Sequence, residues 1–125
     1  LNGEKITFCG IDDPDSGESG QQLSQLEKCD KGDTFTILLA HRPEEITSYL
    51  DGAYDLILSG HAHGGIVRLP IWGGIFGNDG TFFPEYAGGE YTIGDATLIS
   101  SRGLGDASIP RFNNPPELVV IKLNP

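Results

Sequence analysis

The chain has 125 residues, of which 38% are hydrophobic, and no stretch approaches the roughly 20 consecutive apolar residues that a membrane span needs. This length suits a single domain with a modest core. The formal net charge of −10 argues against a nucleic-acid surface, because such a surface needs a basic patch to neutralise phosphates.

The amino end predicts a strand that lacks its partner. The segment KITFCGI, residues 5–11, has the pattern of a strand, and Asn2-Gly3 in front of it is a strong hairpin turn. A hairpin needs a strand on both sides, yet only Leu1 precedes the turn. The chain also contains no methionine. We therefore expect a further strand, and more of the protein, upstream of Leu1.

The cysteines and the acidic loop carry weaker signals. Cys9 and Cys29 are too few, and their spacing matches no thiolate motif, so we interpret them as ordinary core cysteines in a reducing compartment. The loop DDPDSGES, residues 12–19, lacks the third carboxylate of an EF-hand and is interpreted as a solvated turn. Ser19 then predicts the start of a short helix that ends at residues 30–32.

Two apolar runs separated by a helical pattern predict a strand, a helix and a strand. The first run, TFTILLAH, covers residues 34–41, and the second opens YDLILSGHAHGG, residues 54–65. Between them, residues 42–53 carry a proline at a helix-start position, two glutamates in the first turn and apolar residues at helical spacing. Such a crossover makes the two strands parallel, so their carboxyl ends share one edge of the sheet.

All three histidines fall at the ends of these two strands. His41 ends the first run, and His61 and His63 follow the second, where flanking glycines supply backbone freedom. In extended backbone, side chains two residues apart point to the same side. Imidazole is the commonest protein ligand for divalent metals, and open α/β sheets bind ligands at this edge. The pattern predicts a metal site of His41, His61 and His63, and surface histidines in a flexible loop are the alternative.

After the histidines, the chain is glycine-rich and irregular. Residues 64–91 contain many aromatic side chains, and three interpretations stay open for them: packing over the sheet, a substrate wall, or a partner or membrane surface. Two more strands are predicted at residues 95–103 and 117–123.

Two arginines near the predicted edge are candidate substrate-binding residues. Arg42 directly follows His41, and Arg111 lies between the last two predicted strands. Arginine suits the bidentate binding of phosphate. Ion pairs with the surplus of acidic residues are the alternative for each of them.

The order of these segments is similar to that of a known family. LLAHRPE, YDLILSGHAHGG, RLP, SRGLG and IPRFNNPPELVVIKL resemble the carboxyl-terminal part of bacterial calcineurin-like metallophosphoesterases. The resemblance implies that residues 1–125 form the C-terminal portion of such a domain, with the N-terminal portion absent. It also implies a mixed α/β fold, namely half of a four-layer sandwich of mixed sheets with flanking helices.

For the site, the resemblance implies two divalent metal ions, manganese, iron or zinc, with His41 and His61 on one ion and His63 on the other. The family's other ligands and its acid come from upstream motifs of the forms DxH, GDxxD and GNH(E/D), which this sequence lacks. No catalytic residue is therefore assigned in this chain. We expect a metal-dependent hydrolase of a small phosphorylated substrate, a phosphomonoester or phosphodiester, and we expect the chain alone to be nearly inactive.

Three other interpretations stay open. Three histidines could hold a single zinc ion with an open water position, with Asp12, Asp13 or Asp55 as an outer carboxylate. The chain could instead be a non-catalytic interaction module that uses its aromatic segment. It could also form a homo-oligomer, because unpaired strands invite pairing. Since the related branch includes membrane-associated enzymes, the expected location is the cytoplasm or the cell membrane, with any anchor before Leu1.

Overall fold

The computed structural model describes residues 3–17, 19–26, 28–29, 33–49, 54–105 and 109–124. The strands within these ranges are β1 (Ile6–Ile11), β2 (Phe35–Ala40), β3 (Leu56–Ser59), β4 (Val67–Leu69), β5 (Gly73–Phe76), β6 (Gly89–Ile93) and β7 (Ala96–Ser100). The helices are α1 (Ser19–Leu26) and α2 (Ile46–Tyr49), and short 3-10 turns cover Pro14–Ser16 and Pro43–Glu45.

Five of the strands form one mixed sheet in the order β1-β2-β3-β7-β6. The first four run parallel to one another, and β6 pairs with β7 in the antiparallel sense. A second, antiparallel sheet consists of β4 and β5. The predicted mixed α/β fold is confirmed, and so is the parallel pairing of β2 with β3, because a helical connection returns the chain to the same end of the sheet.

The main hydrophobic cluster lies on one face of the large sheet. Leu38, Ile57 and Leu98 come from three neighbouring strands, are almost completely buried, and belong to one cluster with Ile46 of α2. Successive side chains of a strand point to opposite faces, and on the opposite face of β1 the ring of Phe8 is 64% exposed. None of the helices in the described ranges has the length and apolar content that crossing a bilayer requires.

Two predicted elements are wrong. Residues 117–123 form no strand, and Leu118 and Val120 in this segment are 76% and 85% exposed. An apolar run becomes a strand only where another backbone lies beside it to form hydrogen bonds, so the run alone does not decide. The segment 64–91 is more regular than expected, because it contains β4, β5 and the start of β6. The predicted turn at Asn2 and the helix end at residues 30–32 lie outside the described residues.

Cys9 and Cys29 form a disulfide, with their Cα atoms 6.1 Å apart. The expectation of two unpaired core cysteines is therefore wrong. Cys9 lies in β1 and Cys29 follows α1, and α1 packs against β1. The tertiary contact between helix and strand brings the two sulfur atoms together, and no local spacing encodes it.

Reduction of this disulfide is expected to lower the free energy of unfolding by about 3 kcal/mol, because the bond closes a long loop in the unfolded chain. Urea denaturation of the wild type with and without a reductant measures the difference. The double variant Cys9→Ser/Cys29→Ser is the control, and its stability should not respond to reductant. A wild type that is equally stable in both conditions would contradict the expectation.

Candidate functional site

The carboxyl ends of β2 and β3 bring two of the three histidines together. His41 directly follows β2, and Gly60 and His61 follow β3. The pairing continues beyond both strands, since the Gly60 N–H donates to the His41 carbonyl oxygen at 3.0 Å. Nδ1 of His61 then lies 3.2 Å from Nε2 of His41, and the angle between the two ring planes is 81°. Parallel neighbouring strands therefore place two imidazoles in contact.

Asp13 joins them from the adjacent strand. It lies two residues beyond β1, which runs parallel to β2, so its carboxylate reaches the same edge of the sheet. Oδ2 of Asp13 lies 3.7 Å from Nε2 of His41. One ligand atom from each of Asp13, His41 and His61 falls within 4.8 Å of the other two. The sequence alone allows Asp13 to lie in a solvated turn or to act as an outer carboxylate. The strand order β1-β2-β3 is what shows that Asp13 converges with the two histidines.

The polar atoms of this group fit a divalent metal ion. Nδ1 of His61 lies 3.2 Å, and Oδ2 of Asp13 lies 3.7 Å, from the same atom, Nε2 of His41. Nε2 on the other side of the His61 ring lies 3.7 Å from the Glu44 carboxylate. One carboxylate and two imidazoles suit zinc, iron or manganese, and three protein ligands leave a coordination position open. We call Asp13, His41 and His61 the metal-ligand group.

His63 has a different partner. Its Nδ1 lies 3.1 Å from Nη2 of Arg111. Arginine can only donate, so this Nδ1 is an acceptor and the proton of neutral His63 sits on Nε2. Burial, and then the positive charge of Arg111, lower the pKa of His63. His63 is not in the group that the described residues form, so its role as a metal ligand stays a prediction, and ligation through Nδ1 would require Arg111 to move.

The backbone at His61 and His63 is left-handed, and not extended as the sequence predicted it to be. φ is +58° at His61 and +49° at His63. This conformation is uncommon outside glycine and costs roughly 1–3 kcal/mol at each residue. The expectation that both histidines lie in extended backbone is therefore wrong, because the strand ends before them. Asn114, which is 2% exposed, holds the turn by donating from Nδ2 to the His63 carbonyl oxygen at 2.6 Å.

The two candidate arginines differ in whether their N–H donors already have hydrogen-bond partners. Arg42 donates from Nε and Nη2 to the Asp13 carboxylate at 3.2 and 3.0 Å, and it also pairs with Asp15. The hydrogen bond from Arg42 lowers the pKa of Asp13 and so favours its ionised form. Nε and Nη1 of Arg111, in contrast, are buried without a hydrogen-bond partner. Arg111 therefore has donors left for an anion, and substrate binding by either arginine stays a prediction.

Asp12 and Asp55, the other two carboxylates predicted to support a metal ligand from outside the coordination sphere, form hydrogen bonds with other residues. Asp55 precedes β3, and its Oδ2 accepts from the Thr36 N–H at 2.7 Å. The four residues of β3 place Asp55 roughly 13 Å from the end that carries the histidines, so an outer role for Asp55 is excluded by geometry. Asp12 accepts from Nε2 of Gln22 at 2.6 Å. Asp13 is the one member of the three that reaches the histidines in the described part of the chain.

An ion pair behind the histidine turn supplies a test of pH dependence. Nη2 of Arg102 donates to Glu117 at 2.7 Å, and this contact lowers the pKa of Glu117. A depressed folded-state pKa means that the contribution to stability is complete above the unfolded pKa and is lost as the pH falls through the folded value. We expect Glu117→Gln to lower the free energy of unfolding by roughly 1 kcal/mol at pH 7, and we expect this difference to shrink as the pH falls towards and through the lowered folded-state pKa of Glu117.

Denaturant titrations of the wild type and Glu117→Gln from pH 7 to pH 3 test this expectation. Glu90→Gln is the matched control, because it removes one negative charge from an exposed position of β6. A stability difference for Glu117→Gln that does not depend on pH would show that the ion pair is not its source.

Curated proteins that align with this chain carry names from one family. The chain is 33% identical over 123 residues to the uncharacterized metallophosphoesterase YkuE of Bacillus subtilis, an alignment that covers 98% of this chain and 42% of that protein. It is 33% identical over 129 residues to an uncharacterized metallophosphoesterase of Aquifex aeolicus, with coverages of 94% and 45%. It is 32% identical over 87 residues to the phosphodiesterase YaeI of Escherichia coli, with coverages of 70% and 32%. No family model and no solved structure matches the chain.

Two of these alignments cover more than nine-tenths of the chain, so the likeness is not confined to the histidine motif. The chain spans less than half the length of these relatives. The resemblance inferred from the order of the motifs is confirmed. The chain belongs to the metallophosphoesterase family.

Proposed function

We propose that this chain supplies the metal-binding part of a hydrolase that acts on small phosphodiesters. The observation that carries the proposal is the metal-ligand group, in which one ligand atom from each of a carboxylate and two imidazoles lies within 4.8 Å of the other two. The names of the relatives as metallophosphoesterases and as a phosphodiesterase support the reaction class. The activity of the whole protein is part of the proposal, because the chain spans only part of each relative.

The residues of the metal-ligand group hold the cation and fix its place. A divalent cation held there would supply Lewis acidity and would lower the pKa of water enough to make hydroxide available as the nucleophile at neutral pH. Asp13 is held in one orientation by the two contacts from Arg42, which also keep it ionised. Nδ1 of His61 already lies 3.2 Å from Nε2 of His41. Both features reduce the reorganisation that binding of the ion would otherwise require.

Arg111 and His63 form the anion-binding side of the proposed site. The unpartnered Nε and Nη1 of Arg111 can donate to phosphoryl oxygens. His63, whose pKa is lowered, is neutral at pH 7 and presents its Nε2–H as a further donor. These donors offset the negative charge that the acidic chain places around the phosphate.

Two metal ions remain part of the proposal for the whole protein. The family resemblance assigns His63 to the second ion, which requires release of His63 from Arg111 and further ligands from outside the described residues. We propose that these ligands lie in the part of the protein that its longer relatives carry beyond the aligned region. On this proposal the chain alone binds one ion and has little activity.

A mononuclear hydrolase is the second candidate, and one observation favours it. Asp13 completes a set of two imidazoles and one carboxylate within this chain, the composition of many catalytic zinc sites with an open water position. Hydrolysis of bis(p-nitrophenyl) phosphate by the chain with zinc or manganese, abolished in Asp13→Asn, would favour this candidate over the two-metal proposal.

Binding of inorganic phosphate tests the proposed function in the chain itself. We expect manganese to enhance the binding of phosphate, and we expect Arg111→Ala to weaken the manganese-dependent binding about tenfold, since a charge-assisted hydrogen bond contributes about 1.5–3 kcal/mol. Equilibrium dialysis or calorimetry gives the dissociation constants. Lys28→Ala is the control, because it removes one positive charge from an exposed position after α1. A phosphate dissociation constant that changes neither on addition of manganese nor in Arg111→Ala would refute the proposal.

A further inference from the structure

A cavity of about 260 Å³ opens beside His61. We call it the His61 cavity. It lies between the 3-10 turn at Pro43–Glu45, the histidine turn and the loop that follows β5. Its lining includes Glu44, His61, Asp79, Phe83, Glu85 and Tyr86. Pockets that enclose a whole ligand usually measure about 300–1,000 Å³, so this one has room for a single small chemical group. A larger cavity of about 590 Å³ lies at the amino ends of β1 and β2, remote from the histidines.

The charges that line the His61 cavity have one sign. Three carboxylates, from Glu44, Asp79 and Glu85, line it, and none of the described residues in its lining is a lysine or an arginine. Asp79 accepts hydrogen bonds from the backbone N–H of Thr81 at 2.9 Å and from the Thr81 hydroxyl. These bonds lower the pKa of Asp79, so this carboxylate stays ionised at neutral pH. The cavity therefore repels anionic groups and favours a cation.

The carboxylates that line the His61 cavity do not belong to a three-residue metal-ligand cluster in the described part of the chain. Among the described residues, the three-residue cluster with ligand atoms close enough for one ion is the metal-ligand group, and none of the cavity carboxylates belongs to it. Carboxylates that surround a space without converging on a point suit a larger cation, whose charge is spread over several carbon-bound hydrogens.

Aromatic side chains complete the wall. Phe83 and Tyr86 line the His61 cavity, and the ring of Tyr86 is steadied by an edge-on contact with Tyr91 at 5.1 Å between centroids. Aromatic rings attract cations through their quadrupole, and aromatic walls recognise quaternary ammonium groups in this way. Carboxylates and aromatic rings around a small space together favour an alkylammonium group over a sugar or an apolar chain.

We propose that the His61 cavity binds an alkylammonium group carried by one ester arm of the phosphodiester substrate. The placement rests on the proposed function, because His61 belongs to both the metal-ligand group and the cavity lining. Oε1 of Glu44 lies 3.7 Å from Nε2 of His61, so the cavity begins where the proposed phosphate site ends. A phosphoryl group held at the metal-ligand group would direct one ester arm into the cavity.

Choline and its neutral isostere 3,3-dimethyl-1-butanol test the inference without any metal. We expect choline to shift the amide resonances of Thr81 and Tyr86 in the chelator-treated chain, with the neutral isostere binding at least about tenfold more weakly. Glu85→Gln should weaken choline binding about threefold or more, while Glu90→Gln, which removes the same charge outside the cavity, should leave it unchanged. Equal binding of the two compounds, or an equal effect of the two variants, would overturn the inference.

Phosphocholine separates a failure of this inference from a failure of the proposed function. If manganese strengthens phosphocholine binding but choline alone leaves the cavity resonances unmoved, the proposed function stands and the alkylammonium site is refuted. If choline binds in the cavity but manganese adds nothing to phosphocholine, the cavity assignment stands and the phosphate site is refuted.

Discussion

Substituting alanine for His61 is expected to weaken the binding of a divalent metal ion by at least about 100-fold. Removal of a group that only supports a metal ligand typically costs 10–100-fold in affinity, and a direct ligand contributes no less. Nδ1 of His61 also lies 3.2 Å from Nε2 of His41, so the substitution removes one of the two imidazoles in contact. Calorimetric titration of the chain with zinc or manganese gives the affinity and the stoichiometry, which we expect to be one ion per chain.

His63→Ala is the matched control for this experiment. Both variants lose a histidine from a left-handed backbone position, with φ at +58° for His61 and +49° for His63, so any effect of backbone strain is shared. Because Arg111 occupies Nδ1 of His63, we expect this variant to keep its metal affinity within about threefold. An equal loss in both variants would instead support a single site made of all three imidazoles.

Alanine at Gly64 is expected to lower the free energy of unfolding by about 2–4 kcal/mol and to abolish metal binding. A Cβ at this position would lie 2.5 Å from Oδ1 of Asn114 and 2.7 Å from Cγ of Arg102, and φ is +78°. Overpacking of this kind costs about 1–3 kcal/mol, and the unfavourable φ adds about 1 kcal/mol. Asn114 holds the carbonyl of His63, so its displacement would release the histidine turn.

Gly94→Ala separates the two contributions. Gly94 lies in the turn between β6 and β7 with φ at +60°, and an added Cβ would meet nothing within 4 Å. We therefore expect a loss of only about 1 kcal/mol and normal metal binding. Chemical denaturation gives the stabilities and the same metal titration gives the affinities. If the two variants lose equal stability, the close approach of Asn114 and Arg102 does not limit this position.

Much of the candidate site was predictable because parallel strands end together. Apolar runs that stop at His41 and shortly before His61, with a helical pattern between them, already imply that both histidines reach one edge of a sheet. The contact of 3.2 Å between the two imidazoles follows from that rule. The family likewise follows from the order of the motifs along the chain, which is a property of sequence.

The surroundings of Asp13 and His63 could not be predicted from neighbouring residues in the sequence. Asp13 belongs with the histidines because β1 lies beside β2, and nothing in the loop after β1 reports which strand is its neighbour. His63 departs from the expected extended backbone because the chain turns left-handed after β3, a strain that Asn114 offsets from 51 positions along the chain. Such distant support cannot be inferred from the motif itself.

The amino-acid sequence by itself determined the strands and helices with a clear period, the edge on which His41 and His61 lie, and the family. These depend on side-chain periodicity and chain connection, which are local. Tertiary structure alone decided the pairing of Cys9 with Cys29, the place of Asp13, and the absence of a strand at residues 117–123. Each of these depends on which distant segment becomes a neighbour, because a disulfide, a ligand group or a β-ladder needs a partner that the local sequence does not name.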